Sequence, residues 1–270
     1  MNSPIRYYGG KGMMFKEIIK HFPDKDTYEI YIEPFGGSYS IGLKKPPAKA
    51  EIYNDLDKNV YSLYKVLSDY ESFQRFKDRC DIALYNDTIR REYIQELKKD
   101  DLSIEDRAFY FFYVNRTSHN GHGGFSINTS IRRNMSKSVS DYLSCIDRLP
   151  ELHDRLSRVI VSNMDGVKLI EKFKDRSDAL IYCDPPYEQS TRSDARYKTD
   201  MDVDHHNRFL DAVIESKSMI IISGYECELY NRLTDNGFEM IQFQVNTIDT
   251  KFKPKTKTEI LWTNRQNLKK

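Results

Sequence analysis

Apolar and polar positions alternate along Tyr28–Phe35 (YEIYIEPF) until Gly36-Gly37 stop the pattern, which predicts a strand. Ala50–Asn54 (AEIYN) predicts a second, shorter one. Val60, Leu63, Tyr64 and Leu67 then recur at helical spacing. The helical pattern continues from about 71 to 114, through Phe73 and Phe76, then Ile89–Leu97, then Ile104–Val114. Asn115–Ser138 breaks it: Gly121, Gly123 and Gly124 lie among many Ser, Thr and Asn residues, which predicts loop or a short hairpin. Strand and helix alternate again afterwards. Strands are predicted at Val159–Val161, Ala179–Cys183, Met219–Ser223, Phe238–Val245 and Glu259–Trp262; helices are predicted from Val167, at about 204–217 and at Glu226–Asn236.

Strands alternating with helices argue for an α/β fold whose mostly parallel sheet carries helices on both faces. The helical block of about 60–157 interrupts that alternation, and the simplest account is a second domain inserted after the second strand. Ligands of such sheets bind at the carboxyl ends of the strands. Two strand ends therefore stand out, Glu33–Gly37 and Asp184–Tyr187.

Composition narrows the class. The chain has 270 residues, with 39% hydrophobic, 13% aromatic and 31% charged residues, which supplies a sizeable core and excludes disordered and collagen-like classes. The longest apolar run, Ala108–Val114, is too short for a membrane span, and Met1–Arg6 has no apolar signal core, so the expected location is the cytoplasm. Cys80, Cys145, Cys183 and Cys227 lie at least 38 residues apart, which predicts reduced thiols and no zinc site. The pairs His119/His122 and His205/His206 have no nearby third ligand and are expected to be polar surface, so no metal is expected. Lys and Arg total 42 against 41 Asp and Glu, a balance that by itself argues against a nucleic-acid partner.

Four short constellations carry chemistry. In Asp184-Pro185-Pro186-Tyr187 the prolines fix a stiff turn after an apolar strand, where backbone carbonyls have no sheet partner. An Asp side chain, free carbonyl acceptors and the flat face of Tyr187 suit a planar group bearing an amine. In Glu33-Pro34-Phe35-Gly36-Gly37-Ser38 the glycines let a ligand approach the backbone, although Tyr39 stands where a dinucleotide fingerprint needs glycine. In Asn54-Asp55-Leu56-Asp57 an acidic residue ends the second strand, as in ribose binding, yet Asp55 or Asp57 could equally cap a helix. Tyr7-Tyr8-Gly9-Gly10-Lys11-Gly12 fails the P-loop pattern, because Gly12 follows the Lys.

In combination and in this order, these elements resemble the Dam-type family of DNA adenine-N6 methyltransferases that use S-adenosylmethionine. That family runs from an aromatic-x-G-G-K start through an E-P-F-x-G turn, a ribose strand and an inserted recognition domain to D-P-P-Y. The resemblance covers roughly residues 4–264, including Ile222-Ser223-Gly224 and the closing strand Glu259–Asn264. It implies a Rossmann-like methyltransferase sheet of seven strands, mixed but mostly parallel, with an inserted, mainly helical DNA-recognition domain containing a hairpin. The catalytic domain would take 1–59 and 158–270, and the recognition domain 60–157. Tyr7 and Lys11 would contact the cofactor; Glu33, Phe35 and Gly37 would line its methionine end; Asp55 would bind the ribose hydroxyls. Asp165 matches the acidic position near the cofactor's adenine, and it could equally cap the helix near Val167.

The implied reaction moves a methyl group to the N6 amine of adenine in duplex DNA. That nitrogen is a poor nucleophile, because its lone pair is delocalised. Asp184 and the Pro185 carbonyl would accept its two hydrogens and localise the pair, with Pro186 stiffening the turn. The target base must leave the helix to be reached, and would stack on Tyr187. Same-chemistry rivals are RNA adenine or cytosine-N4 methylation; the other class is a non-catalytic DNA-binding homologue.

Charge distribution revises the argument from net charge. Between Asp106 and Asp141 lie Arg107, Arg116, Arg132, Arg133 and Lys137 and no acidic residue. Asn115–Gly121 resembles the family's segment before its hairpin, so Arg116, Asn120, Arg132, Arg133 and Lys137 are the expected DNA contacts. The tail from 250 onward is also basic, with Glu259 its only acid, and is expected to be mainly solvated. Gly121–Lys137 lacks the F-N-V-P-type hairpin end of the family members that target GATC, which puts that target in doubt. The family also admits a cognate restriction endonuclease as partner, a solitary or viral role, and a monomer or weak dimer.

Overall fold

The computed structural model describes residues 1–7, 10–186, 201–248 and 254–264. Its strands are β1 (Ile30–Glu33), β2 (Ala50–Asn54), β3 (Ile131–Arg132), β4 (Met135–Ser136), β5 (Val159–Ser162), β6 (Ala179–Cys183), β7 (Met219–Gly224), β8 (Glu239–Ile248) and β9 (Pro254–Thr263). The α-helices are α1 (Phe15–Ile19), α2 (Lys58–Ser68), α3 (Tyr70–Ile82), α4 (Asp87–Glu96), α5 (Ile104–Thr117), α6 (Lys137–Ile146), α7 (Leu149–Leu156), α8 (Gly166–Phe173), α9 (Val203–Ile214) and α10 (Asn231–Asp235).

Seven strands form one sheet in the order β5-β2-β1-β6-β7-β9-β8, and β3 and β4 form a separate hairpin. β2, β1, β6 and β7 run parallel, while β9 is antiparallel to both β7 and β8. The α/β class, the mixed and mostly parallel sheet, the helical insertion and the hairpin are therefore as the sequence implied. From β1 the chain moves outward to β2, then returns to β6 on the other side. That makes the gap between the ends of β1 and β6 the switch point at which such sheets bind ligands.

The chain divides into two compact units. The first takes Met1–Gly12, Gly37–Lys44 and Asp57–Ser162; the second takes Met13–Gly36, Lys45–Leu56 and Asn163–Lys270. The first holds α2–α7 and the hairpin, with an aromatic interior. Phe76 meets Phe109 and Phe112 edge-on, Tyr93 stacks on Tyr110, and His153 stacks on Phe73 at 4.4 Å. Its helix starts are read directly from side chains: Asp57, Asp69, Asn86, Ser103 and Ser136 each accept a backbone N–H of the following turn.

Several predicted boundaries differ. α5 runs on to Thr117, because Asn115 is satisfied inside the fold: its Nδ2 donates to the Arg6 and Gly121 carbonyls and its Oδ1 accepts the Arg6 N–H. The predicted helix Glu226–Asn236 is split into a 3₁₀ turn, Glu228–Tyr230, and α10. β8 and β9 extend well beyond their apolar stretches as a long antiparallel pair, registered from Glu239↔Thr263 to Ile248↔Pro254. Backbone pairing continues there through polar Gln, Asn, Thr and Lys positions, which hydrophobicity does not mark. α1 leaves no mark in the hydrophobic pattern, its five residues being too few for a helical period to register.

Candidate functional site

The second unit's parallel strands are two-faced. Ile30, Ile32, Ile52, Ile181, Cys183, Ile220 and Ile222 turn to one side and pack with Val167, Leu169 and Ile170 of α8 and Phe209, Leu210 and Val213 of α9. The opposite side carries Tyr31, Glu33, Glu51, Tyr53, Tyr182 and Ser223, all buried. Polar groups so placed must find partners within the protein. The Tyr31 hydroxyl donates to Glu33 Oε1 at 2.6 Å, and Lys45 pairs with Glu51 while lying 4.1 Å from the centre of the Tyr31 ring.

Three carboxylates expected to hold the cofactor follow three strands of the sheet. Glu33 closes β1 and is 3% exposed; Asp55 follows β2 and is buried; Asp165 follows β5 and is half-buried. Asp57, not Asp55, caps α2, through Asp57 Oδ1 and the Asn59 N–H, which resolves the alternative left open for that pair. Asp165 does cap α8, accepting the Val167 N–H at 2.9 Å, and also takes His205 Nε2 at 3.2 Å on the same oxygen. Burial raises the Asp165 pKa; the Val167 N–H, His205 and Arg208 outweigh it, and the net shift is downward.

Asn54 ties these ends together. Its Nδ2 donates to the Pro34 carbonyl at 2.8 Å and to the Met164 carbonyl at 2.9 Å, and its Oδ1 accepts the Met164 N–H at 3.0 Å. Asn163 adds a bond from its Nδ2 to the Asp55 carbonyl at 2.6 Å. Gly36 completes the turn: its N–H donates to the Asn54 carbonyl, and a Cβ there would come within 2.2 Å of the Tyr53 ring. Phe35 lies edge-on to Phe209, 5.7 Å between ring centres, against the aliphatic core.

Asp184 leaves the end of β6 beside β7. Ser223 Oγ donates to Asp184 Oδ1 at 3.0 Å, and the Tyr182 hydroxyl donates to Ser223 Oγ at 3.0 Å, so a hydroxyl chain reaches up from the sheet and orients the carboxylate. Pro185 is buried and Pro186 half-buried. Tyr187 lies outside the described residues. Neither Ser223 nor Tyr182 was singled out from sequence as a support for Asp184; their spacing along two different strands gives no linear signal. His206, expected at the surface, is fully buried, its Nδ1 3.2 Å from the Tyr230 hydroxyl, because it falls on the inward face of α9. His205, one residue away, is the partner of Asp165.

Tyr7, Lys11 and Gly37 belong to the first unit. Lys11 is 2% exposed on a single 3₁₀ turn, and the Tyr7 ring lies against Gly37, whose φ is +47°. Tyr39, which stands where a dinucleotide fingerprint would need glycine, is fully buried at φ 51° and meets Tyr64 edge-on.

The expected DNA contacts are also in the first unit, and they are not equivalent. Arg116 is buried at the end of α5, where burial lowers its pKa, and its Nη2 donates to the Asp141 carbonyl. Asn120 is exposed at φ 53°. Arg132 and Lys137 both pair with Asp141, at 2.5 and 2.6 Å, and Arg133 pairs with Asp147 at 3.2 Å. Arg133 and Asn134 form the two-residue loop of the hairpin, both at positive φ, the geometry of a type I′ turn. The run without acids is thus flanked in space by two carboxylates that follow it in sequence.

The donor set suits S-adenosylmethionine. That molecule offers hydrogen-bond donors at its ammonium, its ribose hydroxyls and its adenine amine, and Glu33, Asp55 and Asp165 are acceptors placed at successive strand ends. Among the described residues no helix is long and apolar enough to cross a membrane. A comparison with curated protein sequences gives no match. Among solved structures, the methyltransferase domain of a bacterial CtHen1-CN matches at 11% identity, covering 94% of this chain and 97% of that one, with a TM-score of 0.35. The D12 class N6 adenine-specific DNA methyltransferase family matches over residues 7–252, so the chain belongs to that family of S-adenosylmethionine-dependent DNA adenine methyltransferases.

Proposed function

We propose that Asp184 and the Pro185 carbonyl are the two acceptors for the N6 amine of a target adenine. The support is the hydroxyl chain Tyr182–Ser223–Asp184, which holds a half-buried carboxylate at the switch point of the sheet. An Asp near its ordinary pKa of about 3.9 is too weak a base to deprotonate a neutral amine. Asp184 therefore acts by accepting a hydrogen bond and by its charge as positive charge develops on nitrogen; the proton leaves after the methyl group has moved. The cofactor supplies the reactive methyl on its sulfonium. The protein supplies alignment, with Glu33 for the ammonium, Asp55 for the ribose hydroxyls and Asp165 for the adenine amine, and with Phe35, Gly37, Tyr7 and Lys11 as further cofactor contacts. Pro186 stiffens the turn, and Tyr187 is the stacking surface for the extruded base.

On this reading the substrate is duplex DNA at a specific site, and the hairpin sequence leaves GATC in doubt as that site. Residues 60–157 form the target-recognition domain, with Asn120, Arg132 and Arg133 as exposed contacts, Lys137 as a half-buried one and Arg116 supporting them from within. The setting is the cytoplasm of a prokaryote or of a virus's host, with or without a cognate restriction endonuclease, as a monomer or weak dimer. Transfer of a labelled methyl group to duplex DNA tests the proposal. Wild type should transfer, and Asp184→Ala should lose transfer by at least a hundredfold while keeping DNA binding. Transfer by Asp184→Ala at near wild-type rate would move the chemistry elsewhere.

A further inference from the structure

We infer that Tyr31 is a positioning residue for cofactor binding, acting through Glu33; this rests on the placement of Glu33 at the cofactor's ammonium. Strand alternation puts Tyr31 and Glu33 on the same side of β1, two residues apart, with Glu33 at the strand's carboxyl end. The Tyr31 hydroxyl donates to Glu33 Oε1 at 2.6 Å, a short bond of the charge-assisted kind, and both side chains are buried, at 0% and 3% exposure. A carboxylate bonded through Oε1 cannot rotate freely, so Tyr31 helps set the direction in which Glu33 presents its negative charge.

The tyrosine ring is itself held by two neighbours. Phe22 lies 6.0 Å from its ring centre, and Lys45 Nζ stands 4.1 Å from that centre on the ring face. Lys45 is in turn fixed by Glu51, opposite Tyr31 on β2, at 2.5 Å. The row Glu51–Lys45–Tyr31–Glu33 thus runs through the buried polar face and ends at the mouth of the switch point. A cation on the ring face withdraws electron density from the phenol and makes its hydroxyl a better donor to Glu33. Preorganisation of this kind raises affinity by removing the cost of ordering the carboxylate on binding.

A merely structural Tyr31 would affect every ligand of the site alike. The test compares two ligands by calorimetry: S-adenosylhomocysteine, which carries the amino-acid end, and 5′-methylthioadenosine, which lacks it. Tyr31→Phe keeps the ring and its contacts with Phe22 and Lys45 but removes the donor. We expect about tenfold weaker binding of S-adenosylhomocysteine and unchanged binding of 5′-methylthioadenosine, the latter doubling as proof of a folded site. Methyl transfer at saturating cofactor should stay within about twofold of wild type, so the effect falls on KM rather than kcat. Equal weakening of both ligands, or no weakening of either, overturns the inference. Glu33→Gln separates it from its premise: it should weaken the homocysteine compound selectively, as Tyr31→Phe does. If Glu33→Gln leaves the ratio of the two affinities unchanged, the placement of Glu33 itself fails. If Glu33→Gln changes that ratio and Tyr31→Phe does not, only the role of Tyr31 fails.

Discussion

Replacing Asn54 should loosen the cofactor ends of β1, β2 and β5 together. The side chain is fully buried and makes three hydrogen bonds to backbone groups of Pro34 and Met164. Asn54→Ala leaves two carbonyls and one N–H without that partner. At about 1 kcal/mol net for each bond, the loss is about 3 kcal/mol of stability. For a chain of this size that lowers Tm by about 6–12 °C. Asn54→Asp is a sharper probe. It keeps an acceptor for the Met164 N–H but turns a carboxylate toward two carbonyls that had received N–H donors. It should therefore be at least as damaging as the alanine at neutral pH, and should recover partly in acid, where a protonated carboxyl can donate to one carbonyl. Calorimetric melts across pH check the order, and S-adenosylhomocysteine titration checks the site. Affinity should fall in both variants, because Glu33 and Asp165 flank the groups that Asn54 joins. An Asn54→Ala protein within 1 kcal/mol of wild type, or an Asn54→Asp protein indistinguishable from wild type at neutral pH, would refute this reasoning.

Three further outcomes follow from the site. Ser223→Ala breaks the hydroxyl chain to Asp184 and should slow transfer by about tenfold at saturating cofactor, with cofactor affinity kept; single-turnover kinetics would show it. Asp165→Ala should cost about 1 kcal/mol of stability at neutral pH, the worth of a good helix cap. Because the folded Asp165 pKa is lowered, the wild type's advantage is present above the ordinary value of 3.8 and is lost as pH falls through the lowered one; a gap that widens in acid would contradict this. Arg133→Gly relieves a non-glycine residue at φ 52° in the hairpin turn and should stabilise the protein by about 1 kcal/mol. The same change should weaken DNA binding and reduce the salt slope by about one, measured by fluorescence anisotropy; an unchanged slope would remove Arg133 from the DNA contacts.

Much of this fold is legible in period and punctuation. β1, β2 and β6 are apolar or alternating runs bounded by glycine or proline, and β2 and β6 keep the predicted limits, Ala50–Asn54 and Ala179–Cys183. β8 and β9 are under-read because their outer halves are held by backbone pairing with polar side chains. The acids proposed for the cofactor, Glu33, Asp55 and Asp165, are legible because they lie at or shortly after strand ends. Their supports are not: Ser223 and Asp184 are 39 residues apart, and Asn54 and Met164 are 110 apart, joined only by the register of the sheet. His205 and His206 show the same limit at close range, since a helix turn of about 100° per residue sends one to Asp165 and the other into the core. Local charge misleads in a related way. The stretch from Arg107 to Ser140 has no acid of its own, yet Asp141 and Asp147 fold back onto Arg132, Lys137 and Arg133.

The two-faced sheet has a consequence for how this sequence can vary. In β1 the isoleucines answer to the shape of an aliphatic interior, and Tyr31 and Glu33 between and after them answer to hydrogen bonds and ligand chemistry. A saturation scan along β1 should therefore oscillate with a period of two: Ile30 and Ile32 should accept Val or Leu, whereas Tyr31 and Glu33 should accept almost nothing that lacks the same donor or charge. Insertion of one residue within β1 would be worse than any single replacement. It would carry isoleucines into the polar row and Glu33 into the oil, exchanging the two kinds of constraint along the rest of the strand at a stroke.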